Sequence, residues 1–196
     1  TPKPIFLSNP NGESTLVDEY VAKKSLEKYG LKIPKTEKCL SSDARFISNQ
    51  IGYPVVLKAL GSAHKSDLGE VFLNLRTQKA VENAANKILH EHVIVEKMVS
   101  DIVLELLVGV VHDPAHGMLL TLAAGGVLTE ILSDTSSLLL PSSEDEVLEC
   151  FYQLRVSEIA KGYRGLSKVD VNQIVDAIMK IQKFVLDNRD KVFEIE

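Results

Sequence analysis

The segment Pro54-Val-Val-Leu-Lys-Ala-Leu60 carries one cation in an otherwise apolar, β-rich run. Alternation along a strand puts Lys58 on the same face as Val56 and Leu60, so its ammonium must either reach water along its own methylenes or meet an anion. A phosphate would satisfy it. The next nine residues, Gly61-Ser-Ala-His-Lys-Ser-Asp-Leu-Gly69, are small and polar and join two apolar strands. Their backbone amides, with Ser62, His64, Lys65 and Ser66, are donors suited to phosphate oxygens. A Walker loop needs its lysine at the start of a helix; this loop runs from strand to strand, as a flap folded over a triphosphate would. A purely structural hairpin loop is the other reading.

Three carboxylates repeat the pattern of charge inside apolar strands: Glu96 in Ile94-Val-Glu-Lys-Met-Val99, Glu105 in Ile102-Val-Leu-Glu-Leu-Leu-Val108, and Glu130 in Val127-Leu-Thr-Glu-Ile-Leu132. Acids so placed face a cation, a ribose hydroxyl or solvent. Any one of them could sit on a solvated face; together with Lys58 and the loop they point to a magnesium-nucleotide cleft. His112 and His116 have HxxxH spacing, but Asp113 and Pro114 between them make a turn, so the pair is not stacked on one helical face as a zinc motif requires.

These residues need a mixed α and β scaffold. Thr15 with Asp18 reads as the cap of a first helix through Val17, Tyr20, Val21 and Leu26 to Gly30, and Ser42 opens a second to Gly52. Strands follow at Pro54–Leu60 and Glu70–Leu75, and Thr77 caps a helix. Val93–Val99, Ile102–His112 and Met118–Ala124 read as strands, the last two antiparallel about the Asp113-Pro114 turn, with one more at Val127–Leu132. Ser143 with Glu146 forms a capping box, a long apolar-faced helix starts at Asp170, and Val192–Glu196 reads as a last strand. The prolines and glycine at positions 2, 4, 10 and 12 make residues 1–13 look like a linker or trimmed end.

The bulk composition agrees with a globular domain: 196 residues, 45% hydrophobic, with mean hydropathy near zero. The net charge of −5 comes with scattered cations, which excludes a broad basic surface for nucleic acid or anionic lipid. Cys39 and Cys150 read as reduced thiols of a cytoplasmic protein. The longest uncharged stretch, Met118 to Thr129, is shorter than the ~20 residues a membrane span needs.

In order along the chain, Tyr53-Pro-Val-Val-Leu-Lys58, His64-Lys-Ser-Asp67, Leu104-Glu-Leu-Leu-Val-Gly-Val-Val-His-Asp-Pro114, Gly125-Gly126 with Glu130, and Gly162-Tyr-Arg-Gly165 resemble the ATP-grasp domain of NDP-forming (ADP-forming) acyl-CoA synthetases, relatives of the succinyl-CoA synthetase β subunit. The resemblance implies an α+β ATP-grasp fold over residues 14–196, two lobes with antiparallel sheets enclosing a nucleotide cleft, the smaller roughly 30–98 and the larger roughly 14–29 and 99–196. It implies an acid-thiol ligase part that moves phosphate between ATP or ADP and a histidine, with Mg2+. CoA and a carboxylic acid would be handled by a partner α subunit or by CoA-binding and ligase domains.

By position, Lys58 resembles the lysine on the nucleotide phosphates, with Ser66 and Arg164 beside them. Glu96, Lys97 and Met98 resemble the hinge that reads adenine through backbone groups, and Glu105 the acid on the ribose. His64 resembles the phosphoryl carrier, and a neutral imidazole with an ordinary pKa of ~6.5 is a competent nucleophile for it. Glu196 resembles the magnesium-binding acid that precedes Ile-Asn-Pro in the family. Three positions depart from the pattern: Glu70 and Ala123 stand where glycine is usual, and Leu138 where arginine is typical. They leave a second reading, a diverged nucleotide-binding or regulatory module with little phosphoryl transfer, and a third, the ATP-grasp part of a multidomain protein acetyltransferase.

Overall fold

Two central strands buried on nearly every residue build the first of two units, residues 18–27 and 32–100. In the computed structural model, which describes residues 5–8, 14–60, 70–126, 134–162 and 167–196, this unit holds β3 (Thr36–Leu40), β4 (Val55–Ala59), β5 (Val71–Leu75) and β6 (His92–Lys97). They form one antiparallel sheet in the order β3-β6-β4-β5. Val55, Leu57 and Ala59 of β4 and Val93 and Val95 of β6 are fully buried in one cluster with Ala44 of α2 (Ala44–Ile51) and Val81 and Ala84 of α3 (Gln78–Ala85). The intervening Val56, Lys58, Ile94 and Glu96 take the opposite face. The Thr77 side chain caps α3 by accepting the Ala80 N–H, as expected.

The first helix starts later than the sequence suggests. Thr15 lies in a strand, and α1 spans Glu19–Glu27, opened by Asp18, whose carboxylate accepts the Val21 N–H at 2.9 Å. Residues 18–27, expected with the larger lobe, belong to the unit of residues 32–100, because polar side chains on α1 are tied to its sheet.

The second unit comprises residues 1–17, 28–31 and 101–196. Its six-stranded antiparallel sheet runs β2 (Ser14–Val17), β1 (Ile5–Ser8), β10 (Val192–Ile195), β7 (Leu106–Asp113), β8 (Gly117–Ala124), β9 (Thr135–Leu139). Within the segment read as a linker, residues 5–8 are therefore a strand, paired on both sides by β2 and β10. The β7–β8 hairpin turns where Asp113 and Pro114 predict it. Asp113 Oδ1 accepts the amides of Ala115 and His116, and Gly117 takes φ +89, which a side chain would strain. His116 hydrogen-bonds that same carboxylate at 2.9 Å.

Among the described residues this unit also holds helices α4 (Glu144–Gln153), α5 (Ser157–Ala160) and α6 (Val171–Asp187). Ser143 and Glu146 form the capping box of α4, and Asp170 caps α6. Phe151, Leu154, Ile178 and Val185 are almost fully buried with Val110, Leu120 and Leu122 of the sheet. Gln182 of α6 is a buried amide that accepts the Ser142 N–H at 2.8 Å and donates to the Ser142 carbonyl at 3.0 Å, fixing the β9-to-α4 corner. Gln182→Leu keeps the volume but strands both backbone groups. It should lower stability by about 2–4 kcal/mol, read from the denaturant midpoint.

Candidate functional site

Lys58 is largely withdrawn from solvent. Its Nζ lies 2.6 Å from Glu19 Oε1 and 3.3 Å from Glu96 Oε1, and its side chain is 16% exposed. Of the two outcomes the strand pattern allowed, water or an anion, the ammonium meets an anion, and it is carboxylate from the protein's own chain. Two elements set the geometry. In the β4–β6 register Val56 faces Glu96 and Lys58 faces Ile94, so Lys58 and Glu96 are diagonal neighbours on the face away from the helix-packed core. Glu19 arrives from the first turn of α1.

Lys23, one helical turn further along α1, joins the cluster: it bonds Glu19 Oε1 at 2.8 Å and also Glu96 Oε2. Thr36 Oγ1, at the paired position on β3, lies 2.8 Å from Glu96 Oε2 and 2.7 Å from the Pro34 carbonyl, so its one proton is shared between these two acceptors. Two ammonium groups and two carboxylates therefore balance. Sequence reasoning found Lys58 and Glu96 but missed Glu19, Lys23 and Thr36. The signal at Glu19 and Lys23, an i,i+4 pair of opposite charge on a helix, is the same as that of a surface ion pair.

Burial works against charge here, pushing the Glu19 carboxyl up, but the charges of Lys58 and then Lys23 outweigh it and hold the group at about 2. Burial likewise lowers Lys58, and Glu19 followed by Glu96 raises it above its ordinary value. Glu96, raised by burial, is brought below its ordinary value by Lys58 and Lys23. Glu19, Glu96 and Lys58 are thus charged across neutral pH.

In the second unit the structure brings together residues that the sequence treated separately. Glu105 was expected within a strand; it precedes β7 and is exposed. The cause is visible at Gly125 and Gly126. The Gly125 N–H donates to the Glu105 carbonyl at 2.8 Å, and a Cβ on Gly125 would stand 2.8 Å from Glu105 Cγ and 2.9 Å from its backbone carbon. A Cβ on Gly126, at φ +62, would stand 2.5 Å from Glu105 Oε2. The glycine pair is thus the seat of the Glu105 side chain.

At the Glu96-Lys97-Met98 segment, the Lys97 amide donates to Lys35 O at 2.8 Å and the Met98 amide to Pro54 O at 3.0 Å. A base reading either amide would have to displace that bond. The Lys97 ammonium is held by the carbonyls of Gly52 and Tyr53. Glu196 follows β10. Among the described residues no three His, Cys, Asp or Glu side chains gather to hold a metal. Glu70 is buried, with its carboxylate 3.4 Å from His90 Nε2. Ala123 and Leu138 are ordinary members of β8 and β9, opposite Thr135 and Leu120 respectively. The loop with His64 and Ser66, the 127–132 segment with Glu130, and Arg164 lie outside the described residues.

Two antiparallel sheets with helices, a buried lysine on one and a glycine-seated acid beside the other, define a nucleotide-binding domain of the ATP-grasp class. The family profile described as ATP-grasp domain matches residues 9–196. The chain is 30% identical to the β subunit of acetate–CoA ligase [ADP-forming] II of Pyrococcus furiosus, over 93% of this chain and 83% of that one. It is 36% identical to acetate–CoA ligase [ADP-forming] I of Archaeoglobus fulgidus, over 83% of this chain but only 26% of that one. Among solved structures, the dinucleotide-forming acetyl-coenzyme A synthetase 1 of Ca. Korarchaeum cryptofilum with coenzyme A and Ca-AMPCP superposes with a TM-score of 0.80 at 29% identity, over 91% of this chain and 83% of that chain. The same protein with Mg-AMPPCP, its phosphohistidine segment pointing towards the nucleotide binding site, gives 0.76 at 29%, over 90% and 81%. The chain belongs to the ATP-grasp domain family, in the branch of the ADP-forming acetate–CoA ligases.

The depressed Glu19 value makes a pH prediction with a definite sign. A carboxyl at about 2 when folded and 4.5 when unfolded stabilises fully above pH ~5, and that contribution is lost as pH falls towards 2. At ~1.4 kcal/mol for each pKa unit between 4.5 and about 2 it amounts to about 3.5 kcal/mol. Melting temperature should fall over that window, and Glu19→Gln should flatten the fall. An equally steep acid transition in the variant would contradict the assignment.

Proposed function

We propose that this chain is the nucleotide-binding subunit or domain of an NDP-forming acyl-CoA synthetase, passing phosphate between ATP or ADP and His64 during reversible acyl-CoA formation. The observation that carries the proposal is Lys58, an ammonium kept charged by Glu19 and Glu96 on the sheet face away from the core. Such a cation, preorganised in a largely desolvated setting, is suited to the oxygens of a transferring phosphoryl group.

The remaining roles follow from the chain's own groups. Glu105, seated on Gly125 and Gly126, presents a carboxylate that can accept the ribose hydroxyls. The backbone of Glu96, Lys97 and Met98 is assigned to the adenine edge, with the Lys97 and Met98 amides released from Lys35 O and Pro54 O if the base reads them. Ser66 and Arg164 are assigned to the phosphates. An imidazole nitrogen of His64 attacks the γ-phosphorus in line; the bond to the β,γ-bridging oxygen breaks, and ADP leaves with that electron pair. The product is a phosphohistidine whose phosphate a CoA-binding partner part, as α subunit or fused domains, would pass to the carboxylic acid. Magnesium, when bound, neutralises phosphate charge; because it keeps waters and phosphate oxygens as ligands, one or two carboxylates such as Glu196 suffice for it.

Incubation of the chain with γ-labelled ATP and magnesium should leave acid-labile label on the protein, and His64→Ala should lower that label at least a hundredfold. Label that persists undiminished in His64→Ala would overturn the assignment of the carrier.

A further inference from the structure

Lys58 and Lys23 share the same two carboxylates but are not equivalent in the cluster. Lys23 sits four residues from Glu19 on α1 and touches both Glu19 and Glu96. Glu96 has Thr36 as well. If Lys58 turned away, Glu19 would keep Lys23 and Glu96 would keep Lys23 and Thr36. If Lys23 were removed, both acids would lean on Lys58, the cation they share besides Lys23 among the described residues. Lys58 is therefore the exchangeable member and Lys23 the fixed one. An uncompensated buried carboxylate is costly, and this arrangement avoids one in either state.

We infer that Glu19 is an internal stand-in for a phosphate oxygen: its carboxylate holds the Lys58 ammonium aimed and ready, and surrenders it when nucleotide binds, while Lys23 keeps Glu19 and Glu96 paired through the exchange. This rests on the reading of Lys58 as the phosphate-contacting lysine. Glu19 and Lys23 are positioning residues, acting through Lys58, and they set nucleotide affinity with opposite signs. The short Glu19–Lys58 contact, 2.6 Å against 3.3 Å for Glu96–Lys58, makes Glu19 the partner that the phosphate must displace.

The test is calorimetric titration of the full chain with the magnesium complex of the non-hydrolysable analogue AMPPCP. Glu19→Gln removes a competing charged bond and should tighten binding about fivefold. Lys23→Met should weaken it by about the same factor, because Glu19 and Glu96 then both hold Lys58. Asp18→Asn makes the same charge change one residue away, where the partner is Lys38 at 3.0 Å, and should leave affinity within about twofold of wild type. Unchanged or weaker binding by Glu19→Gln, or equal tightening by Asp18→Asn, would overturn the exchange. So would unchanged or tighter binding by Lys23→Met, which keeps the test decisive should Glu19→Gln not fold. Lys58→Met separates the two levels. If it binds as wild type does, the underlying reading of Lys58 fails; if it loses binding while the Glu19 and Lys23 variants behave alike, only the exchange fails.

Discussion

A buried ammonium must be charged to be useful and partnered to be tolerated, and in this protein both conditions are met by Glu19 and Glu96. Desolvation alone would strip Lys58 of its proton affinity; two carboxylates within 3.3 Å reverse that. The register of β4 with β6 and the start of α1 at Asp18 follow the same requirement, because a one-residue slip in either would carry a carboxylate away from the lysine. The α2–α3 core on the other face supplies the rigid backing. Buried ion clusters contribute little net stability. What this one contributes is a fixed direction and a fixed charge for Lys58.

The second unit applies a different constraint to a different acid. Glu105 is placed by absence of side chains: Gly125 and Gly126 leave the space its methylene and carboxylate occupy. The first acid is held by opposite charges, whereas the second is held by shape and is sensitive to any added methyl at the glycine pair. The departure at Glu70 follows neither pattern: its buried Oε2 makes no hydrogen bond among the described residues, with His90 Nε2 3.4 Å away.

Much of the architecture was legible from local signals. The strand around Lys58, the capping box of Ser143 and Glu146, the Asp113-Pro114 turn and the long helix from Asp170 all carry short-range chemistry, and all form as that chemistry dictates. What was hidden depends on partners distant in sequence. Residues 5–8 look like a linker because four residues cannot announce a strand; pairing with β10, nearly the whole chain away, makes them one. Thr15 offered a helix cap, but β2 pairs with β1 and hands the cap to Asp18. At the site, Lys58 was readable because a lone cation in an apolar strand is anomalous. Glu19 and Lys23 were not, because a helix displays such pairs routinely and only the fold reveals that this one is turned onto the sheet. Glu105 stood out as a carboxylate in an apolar run, while its seat on the glycine pair required coordinates.

The central claim is that Lys58 is held by carboxylates so that it can be given to phosphate. A crystal structure of the chain with a magnesium-bound, non-hydrolysable ATP analogue tests it most directly. The account predicts Lys58 Nζ within about 3 Å of a phosphate oxygen, with Glu19 withdrawn onto Lys23. Nucleotide bound with the Lys58–Glu19 pair intact and no phosphate oxygen at the ammonium would contradict it.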